Sequence, residues 1–155
     1  MNYATKDYKP ENMARARGIS LPISFKQSIE ICNFIRGKKV KDAKNALAEV
    51  INKKKAMPFT RFEHNLGHKK KIGAGRYPIK SSKEILKLME SAEANAQFKG
   101  LNTADLEIAH ICANKASKVW HFGRKRRRKA KRTTIEIIVQ EERKKQDEKA
   151  RGNKK

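Results

Sequence analysis

Residues 116–132 hold nine Lys or Arg and no acid, and they lie between two stretches of alternating apolar residues. The cations are Lys118, Arg124, Lys125, Arg126, Arg127, Arg128, Lys129, Lys131 and Arg132, with Trp120, His121, Phe122 and Gly123 just ahead of the densest run. No small core can absorb such a segment, because burying an unpaired charge costs far more than burying its methylenes returns. On one side, Leu106, Ile108, His110 and Cys112 share one face of an expected strand, with Ala109, Ile111 and Ala113 on the other. On the far side, residues 133–140 set Ile135, Ile137 and Val139 against Glu136 and Gln140. Strands that follow one another in sequence usually pair antiparallel, so residues 116–132 are expected to be a basic β-hairpin arm. The chain must therefore fold as a compact part plus an arm that something else surrounds.

The something else is a polyanion. Lys and Arg total 39 against 16 Asp and Glu, a formal charge of +23. Such an excess is self-repulsive in an isolated globule. Guanidinium groups bind phosphate in a bidentate manner and stack on bases. Trp120 and Phe122 offer faces for unpaired bases, each stack worth ~1–3 kcal/mol, and Gly123 permits a tight bend or a close approach to a sugar-phosphate chain. Composition alone does not separate RNA from DNA. A membrane surface would also attract the run, but no amphipathic apolar face adjoins it, and no stretch nears the ~18 apolar residues of a span. The first residues carry no apolar signal core. Cys32 and Cys112 are expected as buried free thiols, which together with these points fits the cytoplasm.

Elsewhere the period is helical. Ser24 with Gln27 has capping-box spacing, and Phe25, Ile29, Cys32 and Ile35 repeat at helical intervals up to Gly37. A second helix is expected from about Val40 to Lys54, on a stripe of Val40, Ala43, Leu47, Val50 and Ile51, ahead of Pro58. A third is expected to start at the Ser81–Glu84 pair, to bury Ile85, Leu88, Met89, Ala92 and Ala96, and to close at Gly100. Its alanine-rich second half could let another backbone approach. From Met57 to Ile79 no period survives, which marks a loop ordered by function or by a partner. The fold class is α+β: three helices packed on a small antiparallel sheet. The expected division is an arm and short strand at 1–23, a globular domain at 24–115 and 133–140, the hairpin at 116–132, and a charged tail at 141–155, solvated or disordered. There are no internal repeats.

Other constellations are weaker. His64 and His68 have i, i+4 spacing, but they sit in the expected loop without a third ligand nearby. His110 reads as a hydrogen-bonded core or sheet residue. Gly73-Ala74-Gly75 lacks the context of a phosphate-cradling loop. The acids are scattered and no nucleophile pairs with a base, so neither catalysis, a cofactor nor a metal is expected.

Four stretches then carry a resemblance: Ala56-Met57-Pro58-Phe59-Thr60-Arg61, Gly75-Arg76-Tyr77-Pro78-Ile79-Lys80-Ser81, Glu93-Ala94-Asn95-Ala96-Gln97-Phe98-Lys99-Gly100-Leu101 and Ile108-Ala109-His110-Ile111-Cys112-Ala113-Asn114-Lys115-Ala116. In this order and spacing the chain resembles the universal large-subunit ribosomal protein family numbered twenty-two in bacteria and seventeen in eukaryotes. The Pro-Phe-x-Arg and Gly-Arg-x-Pro loop points to its archaeal and eukaryotic branch. The resemblance covers about Tyr3 to Glu142. It implies an α+β domain near the exit of the nascent-chain tunnel and a long β-hairpin reaching through large-subunit rRNA to the tunnel wall. Its partners would be that rRNA, neighbouring large-subunit proteins and the nascent polypeptide. Gly123-Arg124 matches the family's Gly-Arg near the tip. Trp120-His121-Phe122 replaces the family's Arg-Ala-x, the ascending arm is several residues shorter, and the descending arm is almost solidly basic. The loop around residues 65–75 and the tail are shortened too.

The candidate RNA-contact set is Arg15, Arg17, Arg61, Lys69, Lys70, Lys71, Arg76, Lys80, Lys115, Lys118, Trp120, His121, Arg124, Lys125, Arg126, Arg127, Arg128, Lys129, Lys131 and Arg132. Two alternatives of other classes stay open on the residues themselves. One is a DNA- or chromatin-associated basic protein using the same electrostatics. The other is an RNA-processing enzyme, which would need an acid cluster or a metal site.

Overall fold

A computed structural model describes residues 3–5 and 7–141; of the tail expected at 141–155, Glu141 is instead the last residue of the final strand, and 142–155 lie outside the described residues. In chain order the elements are β1 (Met13–Leu21), α1 (Phe25–Ile35), α2 (Val40–Ile51), β2 (Met57–Pro58), β3 (His68–Lys69), β4 (Gly73–Arg76), α3 (Ile79–Phe98), β5 (Leu106–Lys115) and β6 (Thr133–Glu141). The main sheet is antiparallel in the order β1-β6-β5, and the three helices pack on it. The α+β architecture is therefore as expected. The short first strand is longer than anticipated: it spans nine residues and pairs with β6 from Met13↔Gln140 to Gly18↔Ile135, then, after a shift of register, at Leu21↔Thr133.

β6 is the middle strand, and that explains its burial. Every residue from Thr133 to Val139 is buried. Ile135, Ile137 and Val139 join the core with Ile31, Ile35, Leu47, Ile85 and Met89. Its other face carries Glu136, which is only 2% exposed. Arg17 Nε on β1 lies 3.3 Å from that carboxylate, and the Ala4 N–H donates to it at 2.9 Å, so the N-terminal stretch is tied over this face.

β5 departs from simple alternation. The pairs Ile108↔Val139 and His110↔Ile138 leave Ala109 as an extra, exposed residue: a β-bulge. A bulge shifts the side-chain period by one. Leu106, Ile108 and Ile111 consequently face the core, while His110 and Cys112 move to the outer face, correcting the single-face expectation. His110 Nε2 is buried without a hydrogen-bond partner among the described residues, so the hydrogen-bonded role expected for it is not seen.

The helix ends differ in detail from expectation. Ser24 is the α1 N-cap but makes no side-chain cap bond. Phe25 and Ile29 are only half-buried; the buried face is Ser28, Ile31, Cys32 and Ile35. α2 stops at Ile51, three residues early. α3 begins behind Pro78 rather than at the Ser81–Glu84 pair. Proline fits a helix start because it lacks the N–H that the helix cannot use there. Ser81 is instead buried in the first turn, its hydroxyl 3.3 Å from Gln27 Oε1. Gly100 takes φ +75°, the left-handed conformation that closes a helix. The thin half of α3 does admit a backbone: Asn95 Nδ2 donates to the Arg15 carbonyl at 3.0 Å.

The stretch from Met57 to Ile79 is not a plain loop. β2, β4 and β3 form a second antiparallel sheet, with Met57↔Arg76 and His68↔Ala74 among its pairs. Strands of two to four residues are too short to show a period. Glycine at 75 lets the strands approach closely: a Cβ would sit 2.8 Å from the flexible end of Ile72 and 3.2 Å from the Met57 carbonyl oxygen, so both neighbours would have to shift.

Candidate nucleic-acid interface

The arm is built by letting β5 and β6 run on past the sheet. Their last sheet pair is Lys115↔Thr133. Beyond it the Ala116 N–H donates to the Arg132 carbonyl at 3.3 Å, Ala130 N–H to Val119 at 2.8 Å, and His121 N–H to Arg128 at 2.9 Å. Trp120 bridges Lys129 in antiparallel register, and a 3-10 turn at Gly123–Lys125 closes the tip. Gly123 and Arg127 take φ +64° and +68° to make the reversal. The arm is thus ordered by backbone bonds, without a core of its own.

Its side chains all look outward. Residues 117–129 are exposed, including Phe122 at 93% and Trp120 at 61%. The Lys129 ammonium sits 4.4 Å from the Trp120 ring centroid, so a cation and a stacking face are presented side by side. Among the described residues no carboxylate pairs with a cation of the arm. Lys118, Trp120, His121, the basic run 124–129 and Lys131 are therefore brought together as one acid-free surface, with the half-buried Arg132 at its root.

A second basic region surrounds the small sheet. Arg61, Lys70, Lys71, Arg76 and Lys80 are exposed, and Lys69 is half-buried with its ammonium 5.7 Å from the Tyr77 ring. Gln27, Lys53, Lys69, Arg76 and Tyr77 line a cavity of about 440 Å³ there. What holds this region is a residue that sequence reading passed over. The buried Glu30 carboxylate accepts from the N–H groups of Thr60 (3.2 Å), Arg61 (2.9 Å) and Phe62 (2.8 Å). A lone Glu in an amphipathic helix gives no such signal. The first turn of α1 joins the two regions: Lys26 lies 5.5 Å from the Phe62 ring and also lines a cavity at the arm's root.

Arg15 and Arg17 are placed differently from the rest. Arg17 is engaged with Glu136, and Arg15 lies 4.9 Å from the Tyr3 ring and 4.6 Å from Tyr8. These two guanidinium groups hold the N-terminal stretch against the sheet. Burial raises the Tyr3 hydroxyl above its ordinary value, against the opposing pull of Arg15.

The described residues contain one tight group of metal-type side chains, His110, Cys112 and Glu136, with donor atoms within 4.8 Å of one another. The Arg17 guanidinium beside that carboxylate opposes a cation there. Burial, then the Glu136 charge, pushes the Cys112 thiol upward, which disfavours the thiolate a metal would need. His64 and His68 are exposed on the small sheet and its approach. Both cysteines are free; Cys32 is buried, but Cys112 is only half-buried, short of the burial expected for it.

An exposed, acid-free basic arm leaving a compact α+β domain is a charge layout typical of nucleic-acid-binding proteins. The family model described as ribosomal protein L22p/L17e matches residues 16–140, and the chain belongs to that family. The large ribosomal subunit protein uL22 of Archaeoglobus fulgidus is 43% identical over 125 residues, covering 77% of this chain and 79% of that one. The protein of the same name from Methanocaldococcus jannaschii is 46% identical over 113 residues, covering 71% and 72%. That from Methanoregula boonei is 45% identical over 117 residues, covering 73% and 75%. These relatives place the chain in the archaeal branch.

Proposed function

We propose that this chain is a structural constituent of the large ribosomal subunit that binds large-subunit rRNA through its arm and its second basic region. The observation that carries the reading is the arm itself: nine cations, two exposed aromatics and no acid, on a hydrogen-bonded hairpin that leaves the domain. Family membership supports it, since the family is one of structural ribosomal proteins rather than enzymes. The site of action is accordingly the cytoplasmic ribosome. The mechanism is charge neutralisation. Guanidinium and ammonium groups replace the counterions of several phosphate chains, letting RNA segments pack closely around the arm. The helical domain anchors it, with neighbouring large-subunit proteins beside it. The tip, Phe122 to Arg124, reaches the polypeptide exit tunnel and meets the nascent chain there.

Gradient fractionation of lysate, with and without a high-salt wash, tests this. A chain threaded through RNA stays with the large subunit at one copy through the wash. One held only by exposed charge loses decades of affinity and elutes. Elution to the top of the gradient, with duplex DNA binding of similar strength, would replace this reading by the chromatin-type one. For the tip, a photoreactive group at Phe122 should cross-link to a stalled nascent chain; adducts to RNA alone would remove the tunnel from the proposal.

A further inference from the structure

At the root of the arm, where β5 and β6 leave the sheet beside the first turn of α1, lies a cavity of about 460 Å³. Lys26, Lys115, Lys118, Lys131 and Arg132 line it, and among the described residues no acid does. Phe25 supplies its aromatic wall. The helical period assigns Phe25 to the core, yet the residue is half-buried and turned into this space, with the Lys115 ammonium 5.5 Å from its ring. Five like charges around an aromatic face are mutually repulsive until an anion joins them. The walls are already set. Arg132 Nη1 donates to the Ser20 carbonyl at 3.0 Å, and the Ala116–Arg132 backbone bond closes the root above.

We infer that this cavity takes one unpaired RNA nucleotide, its base against the Phe25 ring and its phosphate among Lys118, Lys131 and Arg132. The inference rests on the RNA-binding reading above and makes it specific. The volume falls within the ~300–1,000 Å³ usual for small-ligand sites, room for a nucleotide rather than a phosphate alone. A duplex backbone would satisfy the cations but leave the ring uncovered, because paired bases stay in their own stack. A base turned out of its helix satisfies both. Recognition of this kind, an unstacked base on an aromatic face, is how proteins usually read RNA loops and bulges.

The test is chemical probing of all four bases, with dimethyl sulfate and carbodiimide, in large subunits carrying the wild-type chain, Phe25→Leu or Phe25→Tyr. Leucine keeps the bulk and loses the ring face; tyrosine keeps both. The expected result is one unpaired nucleotide, protected in wild type and Phe25→Tyr, whose reactivity rises roughly tenfold in Phe25→Leu through loss of stacking. The combined Arg124→Ala, Arg126→Ala and Arg128→Ala variant separates the two levels of the reading. If its probing map changes along the arm while Phe25→Leu leaves every base unchanged, the nucleotide site is overturned and the RNA-binding arm stands. If neither map changes, both fall. A Phe25→Leu change spread over paired bases also overturns the site.

Discussion

The same pair of strands makes two opposite structures. Inside the domain, β5 and β6 carry Ile108, Ile111, Ile135 and Ile137, all fully buried under the helices. Past Lys115 and Thr133 the two chains continue with similar backbone bonds, but every side chain from 117 to 129 is exposed and most are cationic. Backbone hydrogen bonding is common to both halves, so it cannot be what separates them. The inner half is held by apolar burial, at ~1.5–3 kcal/mol per large side chain. The outer half has geometry without burial, and a two-stranded ribbon of that kind is marginal alone in water. Its stability must be completed by the partner. One sequence element thus divides into a part that makes the fold and a part that the partner finishes.

The sharpest way to break this contrast is to injure each half and read both outputs. Ile137→Ala, in the middle of the central strand, should lower unfolding free energy by about 2–5 kcal/mol, measured by denaturant titration. The salt dependence of RNA binding by the folded fraction should not change. Next in size, the combined alanine variant at Arg124, Arg126 and Arg128 should leave the denaturation midpoint within about 0.5 kcal/mol of wild type. Its logarithmic salt slope for RNA binding should fall by roughly 2, and its affinity at physiological salt on the order of a hundredfold. Subunit assembly should suffer accordingly. A stability loss comparable to that of Ile137→Ala would show that the arm belongs to the fold after all.

The small sheet is an intermediate case: cationic outside, but anchored from within by one acid. Glu30→Gln removes the charge from three N–H···carboxylate bonds while keeping an acceptor. It should cost about 1.5–3 kcal/mol, and weaken RNA binding by less than the arm variant does. Faster amide exchange at Thr60, Arg61 and Phe62 would locate the loss. Unchanged exchange would mean that the Met57–Arg76 pairing alone orders this region.

The elements legible in the sequence were those long enough to show a period and those whose charge forbids burial. The α1–α3 stripes, the β5–β6 pair and the arm all satisfy one condition or the other. The misses have local causes. One extra residue, Ala109, reversed the faces of His110, Ile111 and Cys112, and a bulge leaves no mark on composition. The strands of the small sheet are shorter than one period. Pro78 outcompeted the Ser81–Glu84 pair for the start of α3, since a cap needs a break in the helix that Ser81, buried in its first turn, does not have. At the interface, the cations were visible one by one. Their sorting was not: that Arg17 holds Glu136, or that Phe25 faces the arm's root, depends on which strand lies beside which.

The last contrast is between the core and everything outside it at alkaline pH. Burial pushes the Cys32 thiol from an ordinary value of 9.0 up to about 12, with the Cys112 charge adding to the effect. The folded value is raised above the unfolded one, so the contribution of the neutral thiol is intact below pH 9 and declines as pH rises toward 12. The unfolded chain loses its proton first, and the decline approaches about 1.4 kcal/mol per pH unit once the unfolded thiol is ionised. Against a Cys32→Ala control, which lacks the titration, the stability advantage of wild type should therefore shrink by roughly 1 kcal/mol between pH 8 and pH 10. Cys32 should also resist iodoacetamide at pH 8 until the chain unfolds. The arm is common to wild type and Cys32→Ala, so it drops out of this comparison. If the advantage of wild type over Cys32→Ala is the same at both pH values, the interior under α1 is wet, and the separation between a dry, self-sufficient domain and a solvated, partner-completed arm loses its inner half.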